Sequence, residues 1–263
     1  MGLILILAAL AAGPLLSDGA VPGAPFYTAD SLVNTATGEA GSFAPNAFIT
    51  MYGQNLSFVT RAINASDIAA NALPTALIGT GVRVLINALP AYLWYVSPTQ
   101  VTLLVPSFWT AGPATIQLEV NGVAGPEVQI MLNATAPGLF LNPDGMTVTA
   151  HHLDYSPVTA DSPVSDGELI ILYAGGLGPT SPAAPSGQIP QVAAELNDKS
   201  SFLVWLDGVP VDPSLIEYVG VTPGWAGLYE INLRLPPGVA PQSEIRISTG
   251  DTISPGQRYL VLL

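Results

Sequence analysis

A nine-residue stretch returns in similar form later in this chain, and this repeat constrains the fold more than any other feature. Phe48 to Leu56 reads Phe-Ile-Thr-Met-Tyr-Gly-Gln-Asn-Leu, and Leu169 to Leu177 reads Leu-Ile-Ile-Leu-Tyr-Ala-Gly-Gly-Leu. Tyr52 and Tyr173 therefore correspond at an offset of 121 residues (52 to 173). Because internal repeats mark whole structural units, the 263 residues predict two domains, each large enough for its own core. We expect the two tyrosines to be equivalent residues at the edges of these cores.

The hydrophobic pattern of both halves has the period of β-strands. Ile116 and Leu118 alternate with polar residues, as in a strand with one buried face, and Asn121-Gly122 supplies a tight hairpin turn. No capped helical period extends beyond one short turn. The sequence predicts an all-β fold of two tandem immunoglobulin-like antiparallel β-sandwiches. The expected strands are 31–34, 48–52, 82–86, 91–96, 101–105, 114–120 and 128–132, then 147–151, 169–174, 202–206, 215–219, 228–235, 244–248 and 257–262.

The repeat and the turn residues divide the chain into three segments. We expect an apolar N-terminal segment at 1–24, a first sandwich at 25–136 and a second at 137–263. The joint falls at Ala136-Pro-Gly, where proline and glycine end a strand. The second half also contains a long loop, 178–199, which is rich in Pro, Ala and Ser. Loops of this length are usually functional or interfacial.

The charge of the chain restricts its partners. There are 19 acidic and six basic residues, giving a net charge of −13 and an isoelectric point near 4.1. Nucleic acids and anionic membrane surfaces are bound through positive charge, so we expect neither as a partner. The absence of cysteine excludes disulfides and thiolate metal sites. Because only 10% of the residues are charged, the surface is mostly small and polar and tolerates close contact.

The N-terminal run Met1 to Ala12 is apolar and uncharged. It is too short to span a bilayer and has the length of the hydrophobic region of a signal peptide, but no Lys or Arg precedes Arg61. One interpretation is a signal peptide of a secreted protein with no membrane span in the mature chain. The other is a retained strand that pairs with a sheet edge of its own or a neighbouring molecule. The residues that would pair are Leu3, Ile4, Leu5, Ile6 and Leu7.

One cluster of residues suggests chemistry. His151 and His152 are the two histidines of the chain, and Asp154 follows them. On a strand, His152 and Asp154 share a face and His151 points to the other, so a metal site would lack further ligands. No Gly-x-Ser-x-Gly motif, catalytic cysteine or Ser with an ordered His and Asp is present. We expect no catalytic residue, no metal site and no cofactor, although calcium in the acidic turns at 142–145, 166–167 and 197–198 stays open.

Aromatic residues provide the binding signal. In the predicted strand containing Tyr92 and Trp94 both faces are apolar, which indicates core on one side and an interface or a sugar-stacking platform on the other. Trp109 and Trp225 fall in predicted loops. There an exposed indole could stack on a glycan ring, or it could close the end of its own sandwich. These four residues are the candidate interface or binding residues.

Several dispersed motifs resemble a known family. They are Ala44-Pro45 before the repeat, Val96-Ser-Pro-Thr-Gln100, Ala136-Pro-Gly-Leu-Phe140, Leu172-Tyr-Ala-Gly-Gly-Leu-Gly-Pro179 and Leu235-Pro-Pro-Gly-Val-Ala-Pro241. Over residues 26–263 the chain resembles the C-terminal domain family of secreted proteins of Solibacter and other acidobacteria. The resemblance implies paired IPT/TIG-like immunoglobulin modules, with no assigned activity and no catalytic residues. That module normally ends a larger protein, whereas here it covers nearly the whole chain, which suggests a free-standing role.

These features predict a secreted, non-enzymatic structural or adhesive protein. The low charge, the apolar N-terminal segment and the two-faced aromatic strand favour self-assembly into an extracellular or cell-surface filament. The expected partners are further copies of the chain. The first alternative is a carbohydrate- or surface-binding module that uses Trp109, Trp225 or the loop 178–199. The second alternative, a metal-dependent enzyme, depends on the histidine cluster.

Overall fold

The computed structural model describes residues 23–240 and 242–261, and its regular elements are β-strands and four short 3-10 helices. The pairs between its strands are antiparallel, which confirms the prediction of an all-β antiparallel fold. The chain divides into two compact units. The N-terminal unit comprises residues 23–134 and Pro185–Ile189, and the C-terminal unit comprises Thr135–Ala184 with residues 190–240 and 242–261. The expected strand Leu3 to Leu7 lies outside the described residues.

The N-terminal unit contains two sheets. Their strands are β1 (Leu32–Asn34), β2 (Phe48–Tyr52), β3 (Arg61–Ala62), β4 (Val82–Ile86), β5 (Leu89–Pro90), β6 (Tyr92–Val96), β7 (Gln100–Leu104), β8 (Gly112–Val120), β9 (Val123–Ala124) and β10 (Val128–Leu132). One sheet has the order β1-β2-β7-β6-β3, and the other has the order β10-β8-β4-β5 with β9 paired to β8. Two 3-10 helices, Ala29–Ser31 and Ala65–Asp67, lie in the connections.

The core of the N-terminal unit draws on both of its sheets, which therefore pack face to face. Ile49 and Leu103 come from the first sheet, Val84 and Leu118 come from the second, and none of the four has exposed surface. Every second residue of β8 is buried, because alternate side chains of a strand face opposite sides of the sheet. The alternation in the sequence thus identifies the core face of this strand.

The C-terminal unit also contains two sheets. Their strands are β11 (Gly138–Leu139), β12 (Ala150–His152), β13 (Leu169–Gly175), β14 (Thr180–Ser181), β15 (Ala194–Leu196), β16 (Phe202–Leu206), β17 (Val209–Pro210), β18 (Ile216–Val221), β19 (Tyr229–Arg234), β20 (Ile245–Thr249) and β21 (Thr252–Ile253). The larger sheet has the order β11-β13-β19-β18-β15-β14 with β12 paired to β13, and the smaller has the order β17-β16-β20-β21. The 3-10 helices are Lys199–Ser201 and Pro213–Leu215.

The two copies of the repeated stretch form β2 and β13, and the leucines that follow close the cores. Leu56 and Leu177 are buried in the hydrophobic clusters of their respective units. Tyr52 and Tyr173 instead lie on the sheet faces opposite the cores, because the residues before them, such as Leu172, point into the clusters. The expectation that these tyrosines sit at the core edges is therefore wrong.

Tight hairpins recur at corresponding positions of the sheet that contains β4 and the sheet that contains β16. Asn87 and Ala88 connect β4 to β5 with φ of 47° and 64°, and Asp207 and Gly208 connect β16 to β17 with φ of 50° and 79°. Positive φ at both central residues defines the hairpin turn that matches strand twist. The offset of 120 residues (87 to 207) maps the sheet that contains β4 onto the sheet that contains β16.

Two expectations from the second half differ from the structure. Within 257–261 there is no continuous strand; only Tyr259 forms bridges, to Thr147 and Glu244. The loop 178–199 was expected to lack regular structure, yet it contains β14 and β15, which extend the larger sheet. Both strands are two or three residues long, too short to produce a period in the sequence.

Within the residues that the structure describes, no helix has the length and apolar character needed to cross a membrane.

Candidate functional site

The outer face of the smaller C-terminal sheet carries the best candidate for a binding surface. Phe202, Val204 and Leu206 of β16 point into the core, so Leu203 and Trp205 point away from it. Pairing between strands places two rows of three residues on this outer face. The first row is Pro210, Trp205 and Arg246, and the second is Leu203, Ser248 and Ile253. We call these six residues the outer platform.

The indole of Trp205 is anchored within the outer platform. Its Nε1–H donates a hydrogen bond of 3.0 Å to Oγ of Ser248, which is buried. The ring itself is half-buried, and Pro210 beside it is exposed. Because the polar atom of the indole is already satisfied, its remaining exposed surface is apolar. A tryptophan fixed in this way offers a preorganised stacking surface.

Arg246 faces Trp205 directly across the strand pair. Its Nε and Nη2 both donate to the backbone oxygen of Ser254, at 2.9 and 2.7 Å. Among the described residues, Arg246 has no carboxylate within ion-pairing distance. Glu244, two residues before it, shares its side of the strand and accepts a hydrogen bond from the backbone N–H of Gln257. The platform therefore combines an aromatic ring with the cation Arg246, and the carboxylate of Glu244 lies beside it on the same side of the strand.

The corresponding face of the N-terminal unit lacks these features. Leu85 occupies the position of Trp205, and Gln117 pairs with it as Arg246 pairs with Trp205. In the next row the Arg83 guanidinium is 2.6 Å from the Glu119 carboxylate, so that cation is neutralised. The aromatic ring, and a guanidinium with no carboxylate partner among the described residues, thus distinguish one copy of a duplicated face from the other.

Trp205 is not among the candidate residues named from the sequence, although two signals in the sequence point to it. The predicted strand 202–206 alternates, so position 205 falls on the face opposite Phe202 and Val204. The repeat places leucine at the equivalent position, 85. A large aromatic residue on a solvent face, where the other copy has leucine, marks a difference that packing does not require.

Tyr92 and Trp94, which the sequence proposed as an interface, are not an open platform in the structure. Trp94 is 7% exposed and packs edge-on against Phe48, with ring centroids 5.7 Å apart. The hydroxyl of Tyr92 donates to the backbone oxygen of Ser186 at 3.0 Å, and Gly187 lies against its ring. The second face of β6 is thus largely covered within the folded chain.

Trp109 and Trp225 are both half-buried. Trp109 packs against the N-terminal core, and its Nε1 is buried without a hydrogen-bond partner among the described residues. It therefore closes one end of its unit. Trp225 lies in the turn between β18 and β19, where its backbone N–H donates to the backbone oxygen of Thr222 at 3.3 Å. Neither residue belongs to the outer platform.

The two histidines have different environments. His151 packs edge-on against Tyr173 at 5.3 Å, and burial, followed by the neighbouring charge of His152, lowers its pKa. His152 lies 2.5 Å from Oε1 of Glu168 through Nδ1, and this hydrogen bond raises the pKa of His152. Asp154 accepts instead from the N–H and hydroxyl of Ser156. No group of three metal-ligating side chains occurs among the described residues.

His152, Glu168 and Ser162 resemble a hydrolase triad in their connections. Nε2 of His152 lies 3.2 Å from Oγ of Ser162 and 3.2 Å from its backbone oxygen. Two features do not fit catalysis. Nδ1 of His152 faces a carboxylate and Nε2 faces a backbone oxygen, so both ring nitrogens are placed to donate rather than to accept a proton from the serine, and residue 163 after the serine is proline. Proline lacks the N–H that commonly stabilises an oxyanion at that position. The arrangement fits an ion pair that closes the loop between β12 and β13.

The carboxylates of the acidic turns accept hydrogen bonds from N–H and hydroxyl groups of the fold. Asp144 accepts from the N–H groups of Met146 and Thr147, both at 2.8 Å. Asp166 accepts from the N–H of Gly238 at 2.7 Å, and Asp198 accepts from the hydroxyl of Ser200. The contacts of Asp144 and Asp198 are typical of turns stabilised by aspartate, whereas that of Asp166 joins residues 72 positions apart.

Comparison with known proteins gave structural likenesses only. No protein-family model and no curated protein matches the chain. A surface glycan-binding protein of Prevotella bryantii is 12% identical over 89% of this chain and 42% of its own, with a TM-score of 0.28. A Bacteroides ovatus surface glycan-binding protein, solved with a mixed-linkage heptasaccharide, is 10% identical over 95% of this chain and 48% of its own, with a TM-score of 0.32. Domains 5–6 of the S-layer protein SbsC are 9% identical over 91% of this chain and 98% of the SbsC chain, with a TM-score of 0.26.

This chain therefore spans less than half the length of the two glycan-binding proteins. At these TM-scores the likenesses do not identify what this chain binds.

Proposed function

We propose that the protein is a non-catalytic carbohydrate-binding protein of the cell exterior, and that the outer platform binds a neutral polysaccharide. The observation that carries the proposal is Trp205, a half-buried indole fixed by Ser248 on the outer face of its sheet. Aromatic rings with a satisfied polar atom stack well on the apolar faces of sugar rings. The adjacent Arg246 and Glu244 supply donors and acceptors for hydroxyl groups.

A neutral ligand is favoured over an acidic one. The chain carries a net charge of −13, which repels polyanions at long range. Arg246 is a single cation with Glu244 on the same side of its strand, so the platform has little net charge. Hydroxyl groups can hydrogen-bond to both a guanidinium and a carboxylate, whereas a uronate would be repelled by the latter.

Trp205→Leu tests the platform directly. The variant carries the residue that the N-terminal unit has at this position, so we expect it to fold. It should lose about tenfold or more in affinity, as expected when an aromatic anchor is removed. The measurement is native electrophoresis through gels containing soluble β-glucan, xylan, galactomannan or dextran. Retardation of the wild type in at least one gel, and its loss in the variant, is the expected result.

Two controls accompany this experiment. Leu85→Ala changes the equivalent residue of the N-terminal unit and should leave retardation unchanged. Arg246→Gln again copies the N-terminal unit and should weaken binding by less than Trp205→Leu. If the wild type migrates normally in all four gels, or if Trp205→Leu binds as well as the wild type, the platform is not the binding site.

We also propose the finer features of the fold and setting that the sequence indicates. Each unit would be an immunoglobulin-like sandwich of the acidobacterial C-terminal family, supported by the motifs quoted above and by two sheets that share a core in each unit. Secretion is supported by the apolar N-terminal run. Absence of enzymatic activity is supported by the proline after Ser162. Mass spectrometry of the mature protein tests secretion, because an unprocessed N-terminus would contradict the signal peptide.

Self-assembly through a sheet edge is a second candidate function. Strand β10 lies at one end of its sheet and carries no charged residue or proline, which are the usual protection of an edge. Met131 on this strand is 52% exposed. An isolated bridge joins Phe43 to Leu132, which is the last residue of this strand.

Met131→Lys should prevent such association. A lysine on an edge strand disfavours pairing with another chain because its charge would be desolvated. We expect light scattering after size-exclusion chromatography to show large assemblies for the wild type and monomers for the variant. Gln129→Lys places the same charge two residues earlier on the same face and should act likewise, whereas a wild type that is monomeric throughout would exclude this function.

A further inference from the structure

A short segment, Pro185–Ile189, belongs to the N-terminal unit, and we call the residues that it contacts there (Asn71, Leu73, Tyr92 and Ser107) the groove. The segment forms a turn, because the N–H of Gln188 donates to the oxygen of Pro185 at 3.0 Å. The N–H of Leu73 donates to the oxygen of Gly187 at 2.8 Å, and the N–H of Ile189 donates to the oxygen of Asn71 at 2.9 Å. The side-chain amide of Asn71 also donates to the oxygen of Ile189 at 2.7 Å. Ala72 and Gln188 form an antiparallel bridge. These contacts are those of a peptide added to the 71–73 backbone.

A second set of contacts holds the same segment at Ser186 and Gly187. The hydroxyl of Tyr92 donates to the backbone oxygen of Ser186 at 3.0 Å, and the N–H of Ser107 donates to Oγ of Ser186 at 2.9 Å. A Cβ at position 187 would lie 2.3 Å from the Tyr92 ring, and Gly187 has φ of +68°. The groove therefore requires glycine at this position for two independent reasons.

The residues that flank the segment are held by loop contacts, such as the 2.7 Å hydrogen bond from the N–H of Gly224 to the oxygen of Pro190, and not by a strand. Strand β14 ends at Ser181 and β15 begins at Ala194, so no strand anchors the residues between them. Pro182, Pro185 and Pro190 favour extended backbone in this stretch. Four of the five hydrogen bonds described above use backbone atoms of the segment. The groove thus contacts mainly the backbone of a turn that has glycine at one position.

We propose that this groove is a peptide-binding site, and that it takes the 185–189 segment of a second copy of the chain when its own segment withdraws. A second copy is the partner that the observations favour, because it offers the same backbone path, the same serine and the same glycine. Exchange of an identical element between protomers needs no new contacts. Reciprocal exchange gives a closed dimer, and one-way exchange gives an open chain of subunits. This inference does not depend on carbohydrate binding.

A peptide added in trans tests the groove. In the full-length Gly187→Val variant the segment cannot re-enter, because valine meets the Tyr92 ring and disfavours positive φ. A labelled synthetic peptide of residues 183–190 should bind this variant, as measured by fluorescence anisotropy. It should bind the wild type at least about tenfold more weakly, since the tethered segment has a high effective concentration. A peptide with valine in place of the glycine is the matched control and should not bind. If the glycine peptide does not bind the variant, the groove is not a peptide site.

Single cysteines test the exchange without displacing the segment. The chain has no cysteine, and Ala72 and Gln188 are bridge partners, a pairing suited to a disulfide. Full-length Ala72→Cys and Gln188→Cys proteins are mixed at high concentration and oxidised. We expect a mixed disulfide dimer well above the yield obtained with Val192→Cys, whose exposed site lies in the same loop outside the groove. Equal yields for the two pairs would overturn exchange.

Discussion

At the scale of single residues, Ala88 has a backbone conformation that suits glycine. Its φ is +64°, and the equivalent residue of the other hairpin is Gly208 with φ of +79°. Alanine in this region is strained by its Cβ, at a cost of about 1 kcal/mol. Ala88→Gly should therefore raise the free energy of unfolding by up to about 1 kcal/mol, measured by urea denaturation. Gly208→Ala is the matched control and should lower it by a similar amount; stabilisation by both changes, or by neither, would contradict this account of the turn.

His152 should make stability depend on pH in a defined direction. Its hydrogen bond to Glu168 raises its pKa in the folded protein, so folding stabilises the protonated imidazole. This contribution is fully present below the unfolded pKa of about 6.5 and is lost as the pH rises through the higher folded value. His152→Gln should therefore lower the free energy of unfolding more at about pH 5 than at about pH 9.

Chemical denaturation at the two pH values measures this difference. Glu168→Gln removes the partner and should show the same dependence on pH. The lowered pKa of His151 acts in the opposite sense, because its neutral form is favoured by folding and stability falls as it becomes protonated. An equal loss at both pH values in His152→Gln would show that the ion pair does not contribute.

The side-chain contacts of single residues could be predicted from the sequence less well than the strands. The alternation around Ile116 and the hairpin at Asn121 could be predicted, because each depends on neighbours in the sequence. The contact of His152 with Glu168 could not, since it depends on how the 153–168 connection folds back. Covering of Tyr92 by Gly187 likewise joins residues 95 positions apart (92 to 187), which no local pattern indicates.

At the scale of elements, β19 is an interior strand of the larger C-terminal sheet, between β13 and β18. Ile231 on this strand has no exposed surface and belongs to the core cluster. Ile231→Ala should cost about 2 to 5 kcal/mol of stability, from lost burial and the cavity left behind. Arg234→Ala, at the exposed end of the same strand, should cost about 1 kcal/mol or less. Urea denaturation compares them, and a similar cost for both would contradict the assignment of the core face.

The longer strands could be predicted closely from the sequence, whereas the short ones could not. Strands β2, β4, β10 and β16 begin and end where the pattern of turn and apolar residues places them. Strands of two or three residues, such as β14 and β15, form because neighbouring strands offer free edges, not because of a local pattern. The position of Trp205 on the outer platform could be predicted from the sequence, because the repeat and the alternation both indicate it.

At the scale of the whole molecule, duplication provides two similar scaffolds and function depends on what differs between them. In the N-terminal unit the sheet that contains β4 has leucine and a neutralised arginine on its outer face, and the groove is filled by Pro185–Ile189. In the C-terminal unit the same face has a tryptophan beside an arginine without a carboxylate partner among the described residues. For the proposed binding function, the net charge of −13 favours a neutral ligand over an acidic one.

The central claim is that a polysaccharide binds the outer platform. Hydrogen–deuterium exchange, with and without the polysaccharide that retards the protein in gels, tests it most directly because it locates the contact as well as detecting it. We predict slower exchange in β16, β17, β20 and β21, and no change in β4, β5 and β8 of the N-terminal unit. Protection at Trp109, at Trp225 or along 185–189, with none in the platform strands, would contradict the claim.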